Sequence, residues 1–209
     1  MKRYKQSEIE EIATILKNDG VISVPTDTVY GICARINSSK AYLKLVSVKN
    51  RPSDKSFPVL CKDLEQIESI AIVDERVLKL IKAFMPGPLT LVLNKRLDAF
   101  SYINNAGARE TDELAVRMIP SKFLNELIEK VGSPLFLTSA NKSGMDVCRS
   151  LDEIEEECPT LDGMVIGDVS FGEASTIVDL TSDDIKIQRQ GPISEDEIMK
   201  VLKFYNMTI

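Results

Sequence analysis

The chain contains no histidine and no tryptophan in its 209 residues. Without histidine, a Ser-His-Asp triad, a Cys-His dyad and every histidine-containing zinc site are excluded. Any acid–base step therefore falls to Lys, Tyr, carboxylates, substrate groups or water. The four cysteines, Cys33, Cys61, Cys148 and Cys158, include no CxxC pair. Their separations fit neither a zinc ribbon nor a disulfide framework, so they read as reduced thiols. There is no GxxxxGK[ST] and no GxGxxG, so both the P-loop and the dinucleotide fingerprint are missing. No apolar run approaches the ~20 residues that span a bilayer. The amphipathic N-terminus "MKRYKQSEIEEIA" lacks the apolar stretch of a signal peptide. The expectation is a cytoplasmic protein that makes no use of a membrane.

What is present is ordinary for a globular chain: 44% hydrophobic and 28% charged residues. The net charge of -6 argues against non-specific nucleic-acid binding, while leaving room for a local basic cleft. The length suits one domain over 1–209, and no internal repeat or Pro/Gly/Ser-rich linker divides it.

Periodicity predicts a helix over 7–19, with Ser7 and Glu10 as a capping box, Ile9, Ile12, Ile15 and Leu16 as its apolar face, and Gly20 as its stop. Strands follow at 21–24 and 32–35, then a helix over 38–49. The run 57–61 reads as a strand whose Pro58 points to an edge or irregular position. A helix marked by Val77, Leu78, Ile81 and Phe84 ends at "MPGP", which looks purely structural. "LTLVL" (89–93) and "LAVRM" (114–118) are strands flanking a polar stretch, 96–113, that is a candidate lid. A helix at 121–131, strand 135–138, an acidic helix at 151–157, strand 163–166, "STIVDL", "IKIQR" and a helix from about Ser194 complete the chain. Helices and strands are interspersed without strict alternation, which favours a mixed-sheet α/β or α+β fold over a doubly wound one.

Chemistry concentrates in a few short stretches. "PTDTVYG" (25–31) places three hydroxyls and a carboxylate at a strand end, with Gly31 read as the residue that turns the chain into the next strand. In "KNRPSDK" (49–55), Lys49 and Arg51 can converge on one anion, with Lys55 nearby; a solvated helix terminus is the alternative. "TSANKSG" (138–144) offers hydroxyls and amides after an apolar strand, or simply an ordinary turn. Arg117 sits inside an apolar strand pattern and demands a partner, either a ligand or a structural carboxylate.

Taken in order, "VPTDTVYG", "KNRPSDKSF", "MPGPLTLVL", "LAVR", "TSANKSG", "STIVDL" and "RQG" resemble the YrdC-like family of threonylcarbamoyl-AMP synthases over residues 7–205. The resemblance implies a twisted mixed β-sheet flanked by helices around a deep, concave, positively charged cavity. It implies a nucleotidyltransferase that converts L-threonine, bicarbonate and ATP to L-threonylcarbamoyladenylate and pyrophosphate, serving modification of the tRNA adenosine beside the anticodon. Carried over residue by residue, Lys49, Arg51, Lys55, Ser139, Asn141 and Arg189 would bind ATP, with Lys49 and Arg51 catalytic. Thr28, Tyr30, Arg117 and Ser175 would bind threonine. Mg²⁺ would enter on the ATP phosphates, with no protein ligand assigned. Separate threonylcarbamoyl-transferase proteins would act downstream, and tRNA or double-stranded RNA is a further partner. Some family members carry a substrate-contacting histidine where this chain has Leu60, which bears on amino-acid specificity. Two alternatives stay open: a paralogue of the same fold with another substrate, and a non-catalytic RNA-binding module.

Overall fold

The computed structural model describes residues 1–50, 57–97, 99, 113–169 and 174–204. Arg51, Lys55 and most of the candidate lid lie outside them. Period-two burial runs through the central strands. In β3 (Gly31–Arg35), Ile32 and Ala34 enter one hydrophobic cluster and Cys33 the other. In β7 (Leu135–Ser139), Phe136 enters the first, and Leu135 and Leu137 the second. Such strands are buried on both faces, which requires helices on both sides of the sheet.

The remaining strands are β1 (Arg3–Tyr4), β2 (Ile22–Val24), β4 (Val59–Leu60), β5 (Leu89–Asn94), β6 (Glu113–Arg117), β8 (Gly163–Val165), β9 (Thr176–Asp179) and β10 (Lys186–Arg189). Together they make one mixed sheet in the order β1-β8-β2-β3-β7-β4-β6-β5-β9-β10. Pairings β1/β8, β2/β8, β4/β6 and β5/β9 are parallel; the others are antiparallel. Helices α1 (Ile9–Lys17) and α5 (Lys122–Val131) cover one face through Ile12, Leu16, Leu124 and Leu127. The other face is covered by α2 (Ser39–Lys49), α3 (Leu64–Ile70), α4 (Glu75–Phe84), α6 (Leu151–Glu157) and α7 (Glu195–Phe204).

Several helix starts follow one rule. Ser38, Asp63, Asp74, Ser121 and Ser150 each accept a hydrogen bond from the backbone N–H three residues on, satisfying a donor that the helix itself leaves unpaired. The first helix departs from expectation. Ser7 lies within a 3₁₀ turn, Gln6–Glu8, that precedes α1, and it is the Glu8 carboxylate that accepts from Lys5 N at 2.7 Å. The expected Ser7–Glu10 box is not formed because this turn displaces the helix start by two residues.

Two further readings are corrected. β4 is an interior strand between β7 and β6, so of the two positions expected for Pro58 the edge is wrong and the irregular one holds. The proline sits just ahead of the ladder, and its carbonyl accepts from Leu137 N at 2.8 Å. Gly31 is not a turn residue either. It lies in β3 opposite Ser139, where an added Cβ would stand 2.6 Å from Leu137 Cδ1. Its role is close packing between neighbouring strands.

Register sets up the site: Gly31 faces Ser139, Leu60 faces Arg117, and Leu89 faces Thr176. The ends of β2, β3, β7, β4, β6, β5, β9 and β10 thereby meet around one cavity.

Two outcomes test this packing. Leu16→Ala and Leu124→Ala, both at fully buried positions, should each lower unfolding free energy by about 2–5 kcal/mol in a denaturant titration, and Ser121→Ala by about 1 kcal/mol. Losses below about 0.5 kcal/mol would contradict the assigned core. Burial pushes the Cys61 thiol up to about 12 and Cys148 to about 11, and raises Cys33 as well. At pH 8 the native chain should therefore react only slowly with an aromatic disulfide reagent, and fast labelling should require denaturant.

Candidate active site

Arg117 ends β6 with only 7% of its surface exposed. A guanidinium so placed needs partners, and it has three among the described residues. Nη2 donates to Asp27 Oδ1 at 2.5 Å, Nη1 to Thr28 Oγ1 at 3.1 Å and Nε to the Gly87 carbonyl at 3.3 Å. Burial lowers the Arg117 pKa and raises that of Asp27, and the attraction between the two opposes both shifts. The nearby positive charge of Arg189 adds to the lowering at Arg117. The other carboxylate oxygen of Asp27, Oδ2, is buried with no hydrogen-bond partner among the described residues.

The hydroxyls beside this pair have defined directions. Thr26 Oγ1 donates to the Val29 carbonyl at 2.5 Å and accepts from the N–H groups of Thr28 and Val29. Its proton and both lone pairs are thus taken, and Thr28 Oγ1 lies 3.0 Å from it. With one lone pair taken by Arg117, Thr28 has a single acceptor position left for a ligand.

A second polar group closes the opposite wall. Thr90 Oγ1 and Ser175 Oγ are 2.8 Å apart, and Arg189 reaches Ser175 O at 2.9 Å and Ser175 Oγ at 3.2 Å. Arg189 has no carboxylate partner among the described residues and stands exposed at the rim. Thr90 belongs to the "MPGPLT" stretch that looked purely structural. The segment does turn sharply, with a cis Met85–Pro86 bond, but it also supplies Thr90 and the Gly87 carbonyl. Alternation could have found Thr90, since Leu89, Leu91 and Leu93 occupy the core face and leave position 90 on the other.

These groups line a cavity of about 190 Å³ that brings together Thr28, Arg117, Ser139, Ser175 and Arg189, with Leu60 in its apolar wall. Other expected site residues stand outside this lining. Lys49 is 1% exposed, and its ammonium donates to Ser139 O at 2.6 Å, to Asn141 Oδ1 at 3.1 Å and to Asn141 O. Asn141 spends its amide on Lys142 O at 2.9 Å and Met145 O at 2.7 Å, while its Oδ1 also accepts from Ser139 Oγ at 2.6 Å. Lys49 and Asn141 therefore brace the 139–145 loop from beneath. The Tyr30 hydroxyl is bound to the Gly167 carbonyl. A second cavity of about 310 Å³ shares Val29 with the first and adds Val147, Val169 and Arg149. Among the described residues no group of three or more Cys, Asp or Glu side chains is placed to hold a metal ion.

Residues 14–191 match the Sua5/YciO/YrdC family profile, described as telomere recombination. The threonylcarbamoyl-AMP synthase of Bacillus subtilis is 32% identical over 201 residues, covering 93% of this chain and 56% of that protein. The Pyrococcus abyssi enzyme of the same name is 32% identical over 208 residues, covering 96% of this chain and 59% of its own length. The chain thus spans a little over half the length of these two relatives. A crystal structure of Pyrococcus abyssi Sua5 complexed with L-threonine superposes with a TM-score of 0.86 at 29% identity, over 97% of this chain and 60% of that one. Escherichia coli YciO shares the fold at a TM-score of 0.83 and 22% identity, over 94% and 98% of the two chains. The profile spans most of the sequence and the fold matches across nearly all of it, so this chain belongs to the Sua5/YciO/YrdC family.

Proposed function

We propose that the chain is a threonylcarbamoyl-AMP synthase, a nucleotidyltransferase that joins L-threonine, bicarbonate and ATP into L-threonylcarbamoyladenylate with release of pyrophosphate. The observation that carries this reading is the cavity itself: two arginines and six hydroxyl-bearing residues converge at the strand ends of a family fold whose relatives bear that name. Substrates supply both nucleophiles. The threonine amine attacks the bicarbonate carbon, and the resulting N-carboxylate attacks the α-phosphorus and expels pyrophosphate. The protein's task is alignment and charge neutralisation, as expected for phosphoryl-type transfer. That division of labour fits a chain with no histidine.

In this reading Arg117 takes the threonine carboxylate, while Thr28 and Ser175 position the rest of the amino acid. Arg189, exposed at the rim and without a carboxylate partner among the described residues, meets the nucleotide together with Ser139, Arg51 and Lys55, while the buried Lys49 and Asn141 serve it indirectly by holding the loop that presents Ser139. The second cavity, lined by Val29, Val147, Cys148, Val169 and Arg149, suits a nucleoside. Mg²⁺ is part of the substrate, carried on the ATP phosphates. Leu60 gives the cavity part of its apolar wall, a surface suited to the threonine methyl group. The product is of use to a separate protein that moves the threonylcarbamoyl group to tRNA.

Protein incubated with MgATP, bicarbonate and single amino acids, in the absence of RNA, should release pyrophosphate with L-threonine above all others. No threonine-dependent release would defeat the reading. Arg189→Ala should lower kcat/KM by about ten- to a hundredfold, the scale of one lost charge-assisted contact, with unfolding stability changed by no more than about 0.5 kcal/mol. Unchanged kinetics would remove Arg189 from the nucleotide site.

A further inference from the structure

We propose that Arg117 and Asp27 form a clamp for a zwitterionic α-amino acid: Arg117 holds the carboxylate, while Asp27 Oδ2 binds the ammonium group and then takes its proton. The inference rests on the synthase reading and deepens it, naming the base for the amine and the device that selects an amino acid. Its starting point is the lone oxygen. Asp27 has a side chain only 8% exposed, Oδ1 is held by Arg117, and Oδ2 has no hydrogen-bond partner among the described residues. A buried carboxylate oxygen without a donor is unfavourable and calls for an explanation. A bound cationic N–H donor supplies one.

Arg117 lines the cavity, and Asp27 stands behind that lining in direct contact with its guanidinium. Arg117 touches both Asp27 and Thr28, and the residues on either side of Asp27, Thr26 and Thr28, line the cavity. In an α-amino acid the carboxylate and the ammonium hang from the same carbon. A ligand whose carboxylate lies on Arg117 therefore carries its ammonium close to the groups that Arg117 contacts. The remaining lone pair of Thr28 can accept a second N–H from that ammonium. An arginine–aspartate pair is thus the mirror image of the zwitterion it would receive, each partner exchanging an internal contact for one with the substrate.

The proton step balances. The Asp27 carboxylate accepts one proton from the ammonium and leaves a neutral amine. The amine lone pair forms a C–N bond with the bicarbonate carbon, hydroxide departs as water with a second amine proton, and an N-carboxylate results. Asp27 then returns its proton to solvent. Among the described residues the charges facing Asp27 are Arg117 from β6 and, beyond it, Arg189 from β10. Burial raises the proton affinity of this carboxylate while Arg117 opposes the rise, which suits a group that must hold a proton briefly. The other groups near the site are committed elsewhere: Tyr30 donates to Gly167 O and Lys49 to carbonyls of the 139–141 segment.

The test compares L-threonine with 2,3-dihydroxybutyrate, in which a hydroxyl replaces the amine, binding to wild type, Asp27→Asn and Asp27→Glu by calorimetry. Wild type should prefer threonine. Asp27→Asn should weaken threonine about tenfold or more and leave the hydroxy acid within about twofold, whereas Asp27→Glu should keep the preference. If Asp27 only orients Arg117, both ligands weaken together in Asp27→Asn, and the clamp is overturned. A wild type with no preference for the amine overturns it without any variant. In turnover, Asp27→Asn should fall by about 10²–10⁴-fold at pH 7 and then rise about tenfold per pH unit, as solvent takes over the deprotonation. An unshifted pH profile would exclude Asp27 as the base. Should wild type bind threonine selectively yet release no pyrophosphate, the synthase reading fails while the binding comparison still decides the clamp.

Discussion

The site depends on one buried guanidinium. Arg117 stands at the end of a strand whose Leu114 and Val116 pack into the core, and its hydrogen bonds tie together three separate segments. It fixes the loop after β2 through Asp27 and Thr28, and the turn before β5 through the Gly87 carbonyl. The sheet order makes this possible, because β6 lies between β4 and β5 and so points its end into the middle of the cavity. Removing the arginine would leave Asp27 buried beside apolar strands, the situation in which losing one partner of an ion pair is most damaging. Fold and site are therefore held by the same contact.

A second buried cation does a different job. Lys49, at the last turn of α2, gathers carbonyls from Ser139 and Asn141, while Ser143 N returns a hydrogen bond to Lys49 O at 2.9 Å. The loop after β7 is thereby shaped from below, and its Ser139 is presented to the cavity. One cation shapes a wall and another sits in the cavity: a division that residue types alone could not reveal, since both read simply as positive charges in a sequence.

What the sequence made legible follows the same logic. Periodicity located most strands and helices, because alternation in β3 and β7 and the apolar stripes of α4 and α5 are direct records of which face is buried. It passed over α3, a short helix whose start is written in Asp63 and Gln66: Gln66 N donates to Asp63 Oδ1 at 2.9 Å, and Lys62 N to Gln66 Oε1 at 2.8 Å. It also passed over β1, two residues long, whose pairing with β8 is a tertiary fact. In the site, Thr28, Arg117, Ser139, Ser175 and Arg189 were expected together and meet in one cavity. Thr90 and Asp27 were not singled out as ligand-facing: Thr90 follows a turn motif that accounts for itself, and the importance of Asp27 rests on which of its two oxygens is left unpartnered.

Histidine-free chemistry, a cavity walled by hydroxyls and two arginines, and relatives named threonylcarbamoyl-AMP synthase come together in the proposal that Arg117 receives the carboxylate of an amino acid. The most direct measurement is a calorimetric titration of the protein with L-threonine and with L-threonine methyl ester, which keeps the amine, the hydroxyl and the methyl group but lacks the carboxylate charge. The account requires saturable binding of the acid and a loss of about tenfold or more for the ester. Equal binding of the two would contradict it.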